Sequence, residues 1–410
     1  MIISLNWLRE WIEVDLDLPQ LSELLTNAGL EVSSISRVPD FSNKIRVAEI
    51  VSSLHLPGNS NLKICEVDVG QRRNVDIVCG ASNVEVGSRV VAAMPGSSLP
   101  GGKLIRVADF GGQKSRGMLC SADDLDLDYS TDNSAGVLIL DSNAPTGSTL
   151  NDYLQVDDHI IDIDLTPNRG DCLSIQGIAR ELHALTGKKL IGPSFKSVRA
   201  TSKQIVQLEI RAPKDAPRYV GRVIDGIVSQ SKTPDWMRER LRRCGLRSVG
   251  AIVDITNYVM LELGQPLHAF DLDEIKQKIV VRHSRKGETL NLLDGKAIQL
   301  TPETLIIADA NKSLGMAGIM GGMRSGIDGQ TTSIMLEAAY FRPGTIARKA
   351  REYGIQSEAS FRFERKIDPI HQRTAIERAT QLISASVGGN PGPVFQEVSQ
   401  SHMTTPTSIT

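Results

Sequence analysis

Two ionisable residues of this chain lie in otherwise apolar sequence, where they could do chemistry. His268 follows a Gly-Gln-Pro turn, and Glu337 is the one carboxylate of residues 333–341, which read SIMLEAAYF. A carboxylate in such a run must find a hydrogen-bond donor or change its pKa. On its own, a histidine of this kind is more commonly a satisfied core residue than part of a site. The neighbouring segments favour a shared site.

Two segments rich in small residues could converge on these side chains. Residues 315–322 read GMAGIMGG, and their glycines suit a backbone that a ligand or another chain approaches closely. A hairpin between two strands is an equally good interpretation. A phosphate loop is excluded, because no GK[ST] follows and the GxGxxG spacing is absent. Residues 354–365 read GIQSEASFRFER and place Ser357 and Ala359 before an alternating basic and aromatic run.

The stretch that must deliver His268 is residues 254–271, DITNYVMLELGQPLHAFD. Its apolar spacing predicts a short buried helix that ends at Gly264. Pro266 forbids any continuation, so the chain turns before His268. Further helices are predicted from their capping and first-turn residues at 19–29, Asp171, 233–235 and Asp368.

The combination of motifs closely resembles the beta subunit of bacterial phenylalanyl-tRNA synthetase. The matching segments are GLRSVGAIVDITNYVMLELGQPLHAFD, GMAGIMGG, IMLEAAYF and SEASFRFER, and with N-terminal motifs they cover nearly all of the chain. The resemblance implies that residues 207–390 are the family's editing module, which hydrolyses mischarged tyrosyl-tRNA(Phe). The resemblance also implies that the family's editing residues correspond to His268, Glu337, Gly321, Ser357 and Ala359 of this chain. It also places Arg247 near the tRNA terminus, where a guanidinium suits a phosphate.

The resemblance and the periodicities together predict an α+β multidomain protein. Residues 1–39 and 152–195 would form a small, discontinuous α/β domain, and residues 40–151 an all-β oligonucleotide-binding barrel inserted into it. The mixed α/β editing module would follow at 207–390, and residues 391–410 would be a polar linker. The segments IVCGASNVEVGSRVVAAMPGSSLPGG and SRGMLCSADDL resemble the family's tRNA-binding barrel.

The first loop of this barrel departs from the family pattern. Residues 56–62 read LPGNSNL where the family commonly has HPNADKL. Asn61 therefore stands in place of the usual basic residue, and Ser60 in place of the aspartate. The loop lacks the cation that would hold a phosphate. A barrel that serves only as a spacer between subunits is therefore as good an interpretation as a barrel that binds tRNA.

Composition sets bounds on these interpretations. A chain of 410 residues with 40% hydrophobic and 23% charged residues is typical of a globular protein of about two to four domains. The sequence has no membrane-spanning apolar run, no signal peptide and no CxxC pair among its five cysteines. These features predict a cytoplasmic protein with reduced thiols, no membrane contact and no metal site. A formal charge of −2 means that any RNA contact must be local. Aspartates at 162, 164 and 171 are interpreted as a solvated face.

The chemistry follows from the physics of selectivity. An apolar pocket for phenylalanine cannot strongly reject the same ring with a hydroxyl, whereas a second site that hydrogen-bonds the hydroxyl can select it. Glu337 and His268 are the residues best suited to form hydrogen bonds with this hydroxyl. The sequence has no Ser-His-Asp or Cys-His arrangement, so a positioned water with backbone donors for the oxyanion is favoured, and the general base stays unassigned. Two alternatives remain: a non-catalytic RNA-binding and assembly module, and an unrelated nucleic-acid-binding barrel protein with a passive α/β domain.

The resemblance also implies partners and cofactors for the complete enzyme. These are tRNA(Phe), the synthetase alpha subunit in a heterotetramer of two alpha and two beta chains, ATP and magnesium; no cofactor is expected in this chain. Family beta subunits continue well beyond 410 residues with a catalytic-like and an anticodon-binding domain. We therefore expect that this chain alone neither forms aminoacyl-adenylate nor assembles the heterotetramer.

Overall fold

The computed structural model describes residues 1–129 and 136–403. Up to residue 129 the elements are Ile2–Ser4 (β1), Leu5–Arg9 (α1), Leu18–Asn27 (α2), Glu31–Arg37 (β2), Ile45–Leu56 (β3), Asn59–Asp68 (β4), Val75–Cys79 (β5), Arg89–Ala93 (β6), Ala108–Phe110 (β7), Gln113–Ser115 (β8) and Met118–Leu119 (β9). Between residues 136 and 186 they are Leu150–Leu154 (α3), His159–Asp164 (β10) and Ile175–Thr186 (α4).

The remaining elements belong to a second α/β unit. They are Gln207–Ile210 (β11), Arg218–Ile227 (β12), Asp235–Arg243 (α5), Ala251–Leu263 (α6), Leu267–Asp271 (β13), Lys278–His283 (β14), Thr289–Asn291 (β15), Ala297–Gln299 (β16), Leu305–Ala308 (β17), Ser313–Met316 (β18), Met320–Gly321 (β19), Ser333–Tyr340 (β20), Pro343–Tyr353 (α7), Glu358–Glu364 (α8), Gln372–Ser386 (α9), Gly388–Pro391 (β21) and Phe395–Val398 (β22). The chain is thus a mixed α/β protein with several sheets, as the sequence predicts.

The N-terminal sheet joins two distant parts of the chain. β10 lies between β1 and β2, antiparallel to both, and all the barrel strands fall between β2 and β10 in sequence. Trp7 in α1 and Trp11 just after it are both buried in the core of this part of the chain. The arrangement is the one expected of a discontinuous domain, although the boundaries at 1–39, 152–195, 40–151 and 207–390 stay predictions.

An antiparallel sheet of five strands, in the order β5-β4-β3-β6-β9, forms the barrel-like part of the chain. The backbone N–H of Arg116 donates to the carbonyl of Asp76 at 2.8 Å and draws the two edges of the sheet together. The sheet is therefore nearly closed. The first half of β3 is buried on both faces, since Val47 belongs to one core with Val91 and Ile50 to another with Cys65.

The second unit contains two five-stranded sheets. One has the order β13-β20-β12-β21, with β22 also pairing with β12, and the other has the order β11-β14-β17-β18-β19. One face of the first sheet packs Val220 and Leu336 in a core with residues of α6 and α9. Its other face packs Tyr219 and Met335 in a core with residues of the second sheet. Alternating residues of β12 and β20 thus fill two cores, as the period of a strand requires.

The helix ends show where capping residues predict correctly and where they do not. α6 ends at Gly264, whose φ of 77° is left-handed, and the chain then turns to His268 as predicted. The start predicted at Asp171 is wrong, because Ser174 caps α4 instead. The start at Thr233 is displaced by one residue, since Pro234 is the N-cap and the Thr233 hydroxyl donates to Asp254 instead of accepting from the helix. The last long helix begins at Gln372, not at Asp368.

The predicted linker after residue 391 is wrong for four residues. Phe395–Val398 pair with β12, with Phe395 opposite Gly221. A Cβ on Gly221 would lie 2.5 Å from the Phe395 ring, so this strand packs closely against the sheet. The residues that the structure describes include no helix long and apolar enough to cross a membrane. Residues 404–410 of the predicted linker lie outside the described residues.

Candidate functional site

His268 and Glu337 lie directly opposite each other on neighbouring strands. The register of β13 against β20 pairs the two residues, so both side chains leave the same face of the sheet. They line one cavity of about 90 Å³. Gly321 and Ala359 also line it, and its walls are apolar, including Phe270 and Phe363. Four of the six residues proposed from sequence therefore meet at one place.

Burial and one hydrogen bond determine the charge of Glu337. Its side chain is 7% exposed, and the Tyr219 hydroxyl donates to its Oε2 atom at 2.8 Å. Burial disfavours the carboxylate and raises the pKa of Glu337 to about 7, while the bond from Tyr219 lowers it in part. The carboxyl group therefore changes its charge near neutral pH.

We expect Glu337→Gln to stabilise the chain most at high pH. Below the ordinary pKa of 4.5 the carboxyl is protonated in both the folded and the unfolded wild type. As the pH rises to 7, the folded state must keep a proton that the unfolded state releases, and above 7 a cost of about 3 kcal/mol is fully present. Urea unfolding at several pH values checks this: the gain in unfolding free energy should grow from about pH 5 to pH 7. His268 is common to both chains, so a gain independent of pH would contradict the raised pKa.

His268 presents a polar atom without a partner. Its Nε2 atom is enclosed and has no hydrogen-bond partner, and its ring packs edge-on against Phe270 with centroids 4.4 Å apart. Burial lowers the pKa of His268 to about 4, so the imidazole is neutral at neutral pH. A buried polar atom left unsatisfied is uncommon in a folded protein and indicates a place for a ligand group.

The glycine-rich turn covers the two side chains. The hairpin interpretation is confirmed, because β18 and β19 pair, while the approach of a ligand stays a prediction, although residues of the same turn line the cavity. A Cβ on Gly321 would lie 2.7 Å from Cε1 of His268, and one on Gly318 would lie 2.9 Å from Phe363. The turn can approach the histidine this closely only because these positions carry no side chain.

Ser357 lies beside the cavity but does not line it. Its hydroxyl donates to the carbonyl of Ile319 at 2.7 Å, and it also accepts from the N–H of Ser360 as the N-cap of α8. One side chain thus ties the glycine-rich turn to the helix that carries Ala359. The structure gives Ser357 a positioning contact, and its role in chemistry stays a prediction.

Arg247 lies apart from the cavity. It precedes α6 in a loop, its side chain is 71% exposed, and its guanidinium pairs with Asp128 at 2.8 Å. It does not line the cavity. A role at a tRNA terminus stays a prediction, and in it the guanidinium would exchange this exposed ion pair for a phosphate.

Sequence reasoning missed Tyr219, the donor to Glu337. Tyr219 is fully buried on β12, opposite Ala339 and therefore diagonal to Glu337 on the same face. Its segment reads as an ordinary apolar strand. Only a prediction of the β12–β20 register could have found the contact.

One group of described residues has the spacing of metal ligands. Asp171, Cys172 and Glu181 lie close together, and Nη2 of Arg169 donates to all three at 3.1, 2.9 and 2.7 Å. A guanidinium thus already provides the positive charge at this place. The group does not fit a magnesium ion, which needs oxygen ligands in octahedral geometry.

The cavity offers recognition without an evident nucleophile. Its lining residues are Pro, Leu, His, Phe, Ile, Gly, Met, Glu and Ala, with no serine, threonine, cysteine or lysine. One carboxyl and one neutral imidazole at the end of an apolar space can bind a hydroxyl on an apolar group. Covalent catalysis would have to use Glu337 or His268, because the other lining residues are of types that do not act as nucleophiles.

Comparison with known proteins shows which proteins the chain resembles. The B3/4 domain model matches residues 215–388, and the putative tRNA binding domain model matches residues 45–149. The phenylalanine–tRNA ligase beta subunit of Pectobacterium atrosepticum is 45% identical over 410 residues, which is 100% of this chain and 51% of that protein. The beta subunit of Legionella pneumophila strain Lens is 47% identical over 396 residues, 97% of this chain and 50% of that protein. Over its whole length the chain is thus similar to the beta subunits of phenylalanine–tRNA ligase.

The chain spans about half the length of the beta subunits it matches. Among solved structures, an N-terminal fragment of the phenylalanyl-tRNA synthetase beta subunit from Pyrococcus horikoshii is similar at 16% identity and a TM-score of 0.30. That likeness covers 58% of this chain and 63% of the fragment, and at this score it carries no argument. The similarity to the beta subunits therefore rests on the relatives that match nearly all of this chain.

The tRNA-binding match falls on a barrel with an altered loop. β3 and β4 are joined by a tight turn at Pro57 and Gly58, and the exposed Asn61 lies where the beta-subunit pattern has a cation. We expect the full chain to bind tRNA through its barrel weakly and with a steep salt dependence, because phosphate contacts dominate such binding. Asn61→Lys should tighten binding and steepen the slope of log K against log salt by about one.

Titration of tRNA into the wild type, Asn61→Lys and the control Asn59→Gln at low and moderate salt checks this. Tight binding by the wild type that is insensitive to salt would contradict it.

Proposed function

We propose that the cavity between β13 and β20 is a hydrolytic editing site for tyrosyl-tRNA(Phe). The observation that carries the proposal is the pair of Glu337 and neutral His268, opposite each other at a cavity whose other walls are apolar. The family's own synthetic task gives such a site a purpose. A phenylalanine pocket excludes tyrosine by only about 10²-fold, so a second site must remove the error.

Selectivity would come from the hydroxyl of the substrate. The phenol ring packs among Phe270, Phe363 and the glycine-rich turn, and its hydroxyl lies between Glu337 and His268. The hydroxyl donates to the carboxylate and satisfies the enclosed Nε2 of His268. Phenylalanine would leave Oε1 of Glu337 and Nε2 of His268 desolvated and without a partner, which is the more costly outcome. The site therefore binds the wrong amino acid better than the right one.

Hydrolysis would use a water molecule and the backbone. The lining has no serine, threonine, cysteine or lysine, and Glu337 and His268 are engaged with the substrate hydroxyl, so the ester is attacked by water that the bound ring and the turn hold in place. The backbone N–H groups of Ala317, Ile319 and Gly322 already donate to carbonyls, so the oxyanion would be held by other N–H groups of residues 315–322. Ser357, which bonds to Ile319, keeps this turn fixed against α8.

The complete enzyme would need more than this chain. We infer that it acts with an alpha subunit, in a heterotetramer of two alpha and two beta chains, on tRNA(Phe) in the cytoplasm. ATP and magnesium would serve the synthetic reaction. The group at Asp171, which Arg169 already fills, does not fit magnesium, and no step proposed here uses either cofactor.

The test is hydrolysis of tyrosyl-tRNA(Phe) by the full 410-residue chain. Release of tyrosine is followed under single-turnover conditions and corrected for spontaneous hydrolysis. Acceleration well above the uncatalysed rate is expected. No acceleration, together with retained tRNA binding, would instead favour the non-catalytic assembly module.

A further inference from the structure

Tyr219 and Glu337 form an isolated polar contact inside an apolar core. Tyr219 is fully buried with Val223, Phe270 and Met335 around it, and its hydroxyl has the Glu337 carboxyl as its hydrogen-bond partner. Gly221, not a larger residue, lies directly opposite Glu337 on β12. The tyrosine therefore reaches Glu337 along the diagonal of the sheet.

The contact with Tyr219 gives the two carboxylate oxygens of Glu337 different roles. Oε2 of Glu337 accepts from Tyr219, and within the described part of the chain no second donor contacts the carboxyl. Oε1 is left as the acceptor for a group inside the cavity. A glutamate side chain turns about several bonds, so without an anchor this oxygen would not stay in one place.

We propose that Tyr219 is a positioning residue that anchors Glu337 and favours its ionised form, so that one oxygen is oriented to accept the substrate hydroxyl. The proposal rests on the editing function proposed above and adds a residue that reaches the substrate only through another. A side chain that does not line the cavity would thus contribute to the selectivity.

The physical reason is that a hydrogen bond to a carboxylate favours its charged form. Burial raises the pKa of Glu337 to about 7, and the Tyr219 hydroxyl opposes that rise. Without the hydroxyl, the pKa would lie higher and the carboxyl would be protonated at neutral pH. A neutral carboxyl is a weaker acceptor than a carboxylate, because charge-assisted hydrogen bonds are about twice as strong.

Few other groups could titrate in the same place. The titratable groups that face Glu337 are His268 from β13 and Tyr219 from β12; the lining residues from the glycine-rich turn and α8 do not ionise. Burial lowers the pKa of His268 to about 4 and raises that of Tyr219. The α-amino group of the substrate titrates near pH 8, but it does so equally in every variant.

The experiment compares Tyr219→Phe with wild type in the full chain across a pH series. Tyr219→Phe removes one oxygen and keeps the ring in the core. Tyrosyl-tRNA(Phe) hydrolysis should fall by about tenfold at neutral pH, and the loss should shrink toward about pH 8.5 as the carboxyl ionises. The midpoint of the rising limb should move up by about one pH unit. Tyr258→Phe is the matched control, since its hydroxyl also bonds to a buried carboxylate, that of Glu262, outside the cavity.

A second readout needs no activity. The ¹³C signal of the Glu337 carboxyl, assigned by its loss in Glu337→Gln, is titrated in the free wild type and in Tyr219→Phe. A higher midpoint in Tyr219→Phe supports the proposal even if hydrolysis is slow. Equal midpoints, or a loss of hydrolysis that is the same at every pH, would overturn it. If the wild type does not hydrolyse tyrosyl-tRNA(Phe), the editing function is overturned instead. A higher carboxyl midpoint in Tyr219→Phe would then still show that Tyr219 lowers the pKa of Glu337.

Discussion

Glu337→Ala and His268→Ala should each slow tyrosyl-tRNA(Phe) hydrolysis by about ten- to a hundredfold, because a hydrogen bond to a charged group contributes about 1.5–3 kcal/mol. The glutamate supplies the acceptor for the substrate hydroxyl, and the histidine supplies the polar atom beside it. Because the two side chains share one hydroxyl, the double variant should lose less than the product of the single losses. Single-turnover rates of the four chains form the cycle that measures this coupling.

The controls separate recognition from folding. His283→Ala removes a histidine of β14 that pairs with Asp215, and Glu397→Ala removes an exposed glutamate of β22. Neither residue lines the cavity, so both variants should retain the wild-type rate. Each cavity variant must also show a cooperative unfolding transition. Cavity variants that fold and still hydrolyse at the wild-type rate would remove both residues from the site.

Substitution at Gly321 should have an effect at least as large. A Cβ there would lie 2.7 Å from Cε1 and 2.8 Å from Nε2 of His268, so the turn or the imidazole must move. A displacement of about 1 Å in a catalytic arrangement can reduce the rate by about 10²-fold. We expect a loss of about tenfold for Gly321→Ala and about a hundredfold for Gly321→Val, which also fills the cavity.

The backbone of Gly321 does not have a positive φ, so the loss should come from the site and not from strain. Gly344→Ala is the matched control, since its Cβ would meet nothing within 4 Å. Single-turnover hydrolysis and thermal unfolding of the three variants make the comparison. A Gly321→Val chain that edits at the wild-type rate would show that the substrate does not enter beside His268.

The delivery of His268 could be predicted because the signals are local. Gly264 ends α6 in a left-handed conformation, and Pro266 prevents the helix from continuing, so the position of the turn follows from two residue types. The small residues of 315–322 likewise signal a close approach, and Gly321 lies against His268. An apolar strand with one carboxylate marks Glu337 as unusual without reference to any other part of the chain.

The other contacts depend on which elements pack together, so they could not be predicted from one segment of sequence alone. Tyr219 meets Glu337 only because β12 and β20 align in a particular register. Ser357 is predicted as an editing residue from the resemblance alone, and its hydroxyl bonds to a backbone carbonyl and caps α8. Thr233 has the residue type of an N-cap, but its hydroxyl donates a hydrogen bond to the buried Asp254, and Pro234 is the N-cap instead. Tertiary partners thus redirect side chains whose local preferences are clear.

The most direct test of the central claim is the ratio of hydrolysis rates for tyrosyl-tRNA(Phe) and phenylalanyl-tRNA(Phe) with the wild-type chain. The two substrates differ by one hydroxyl, and the ratio therefore isolates the contribution of Glu337 and His268. A site built to bind that hydroxyl should favour the tyrosyl ester by about 10²-fold or more. Equal rates for the two esters would contradict the account, because they would show that the cavity does not read the hydroxyl.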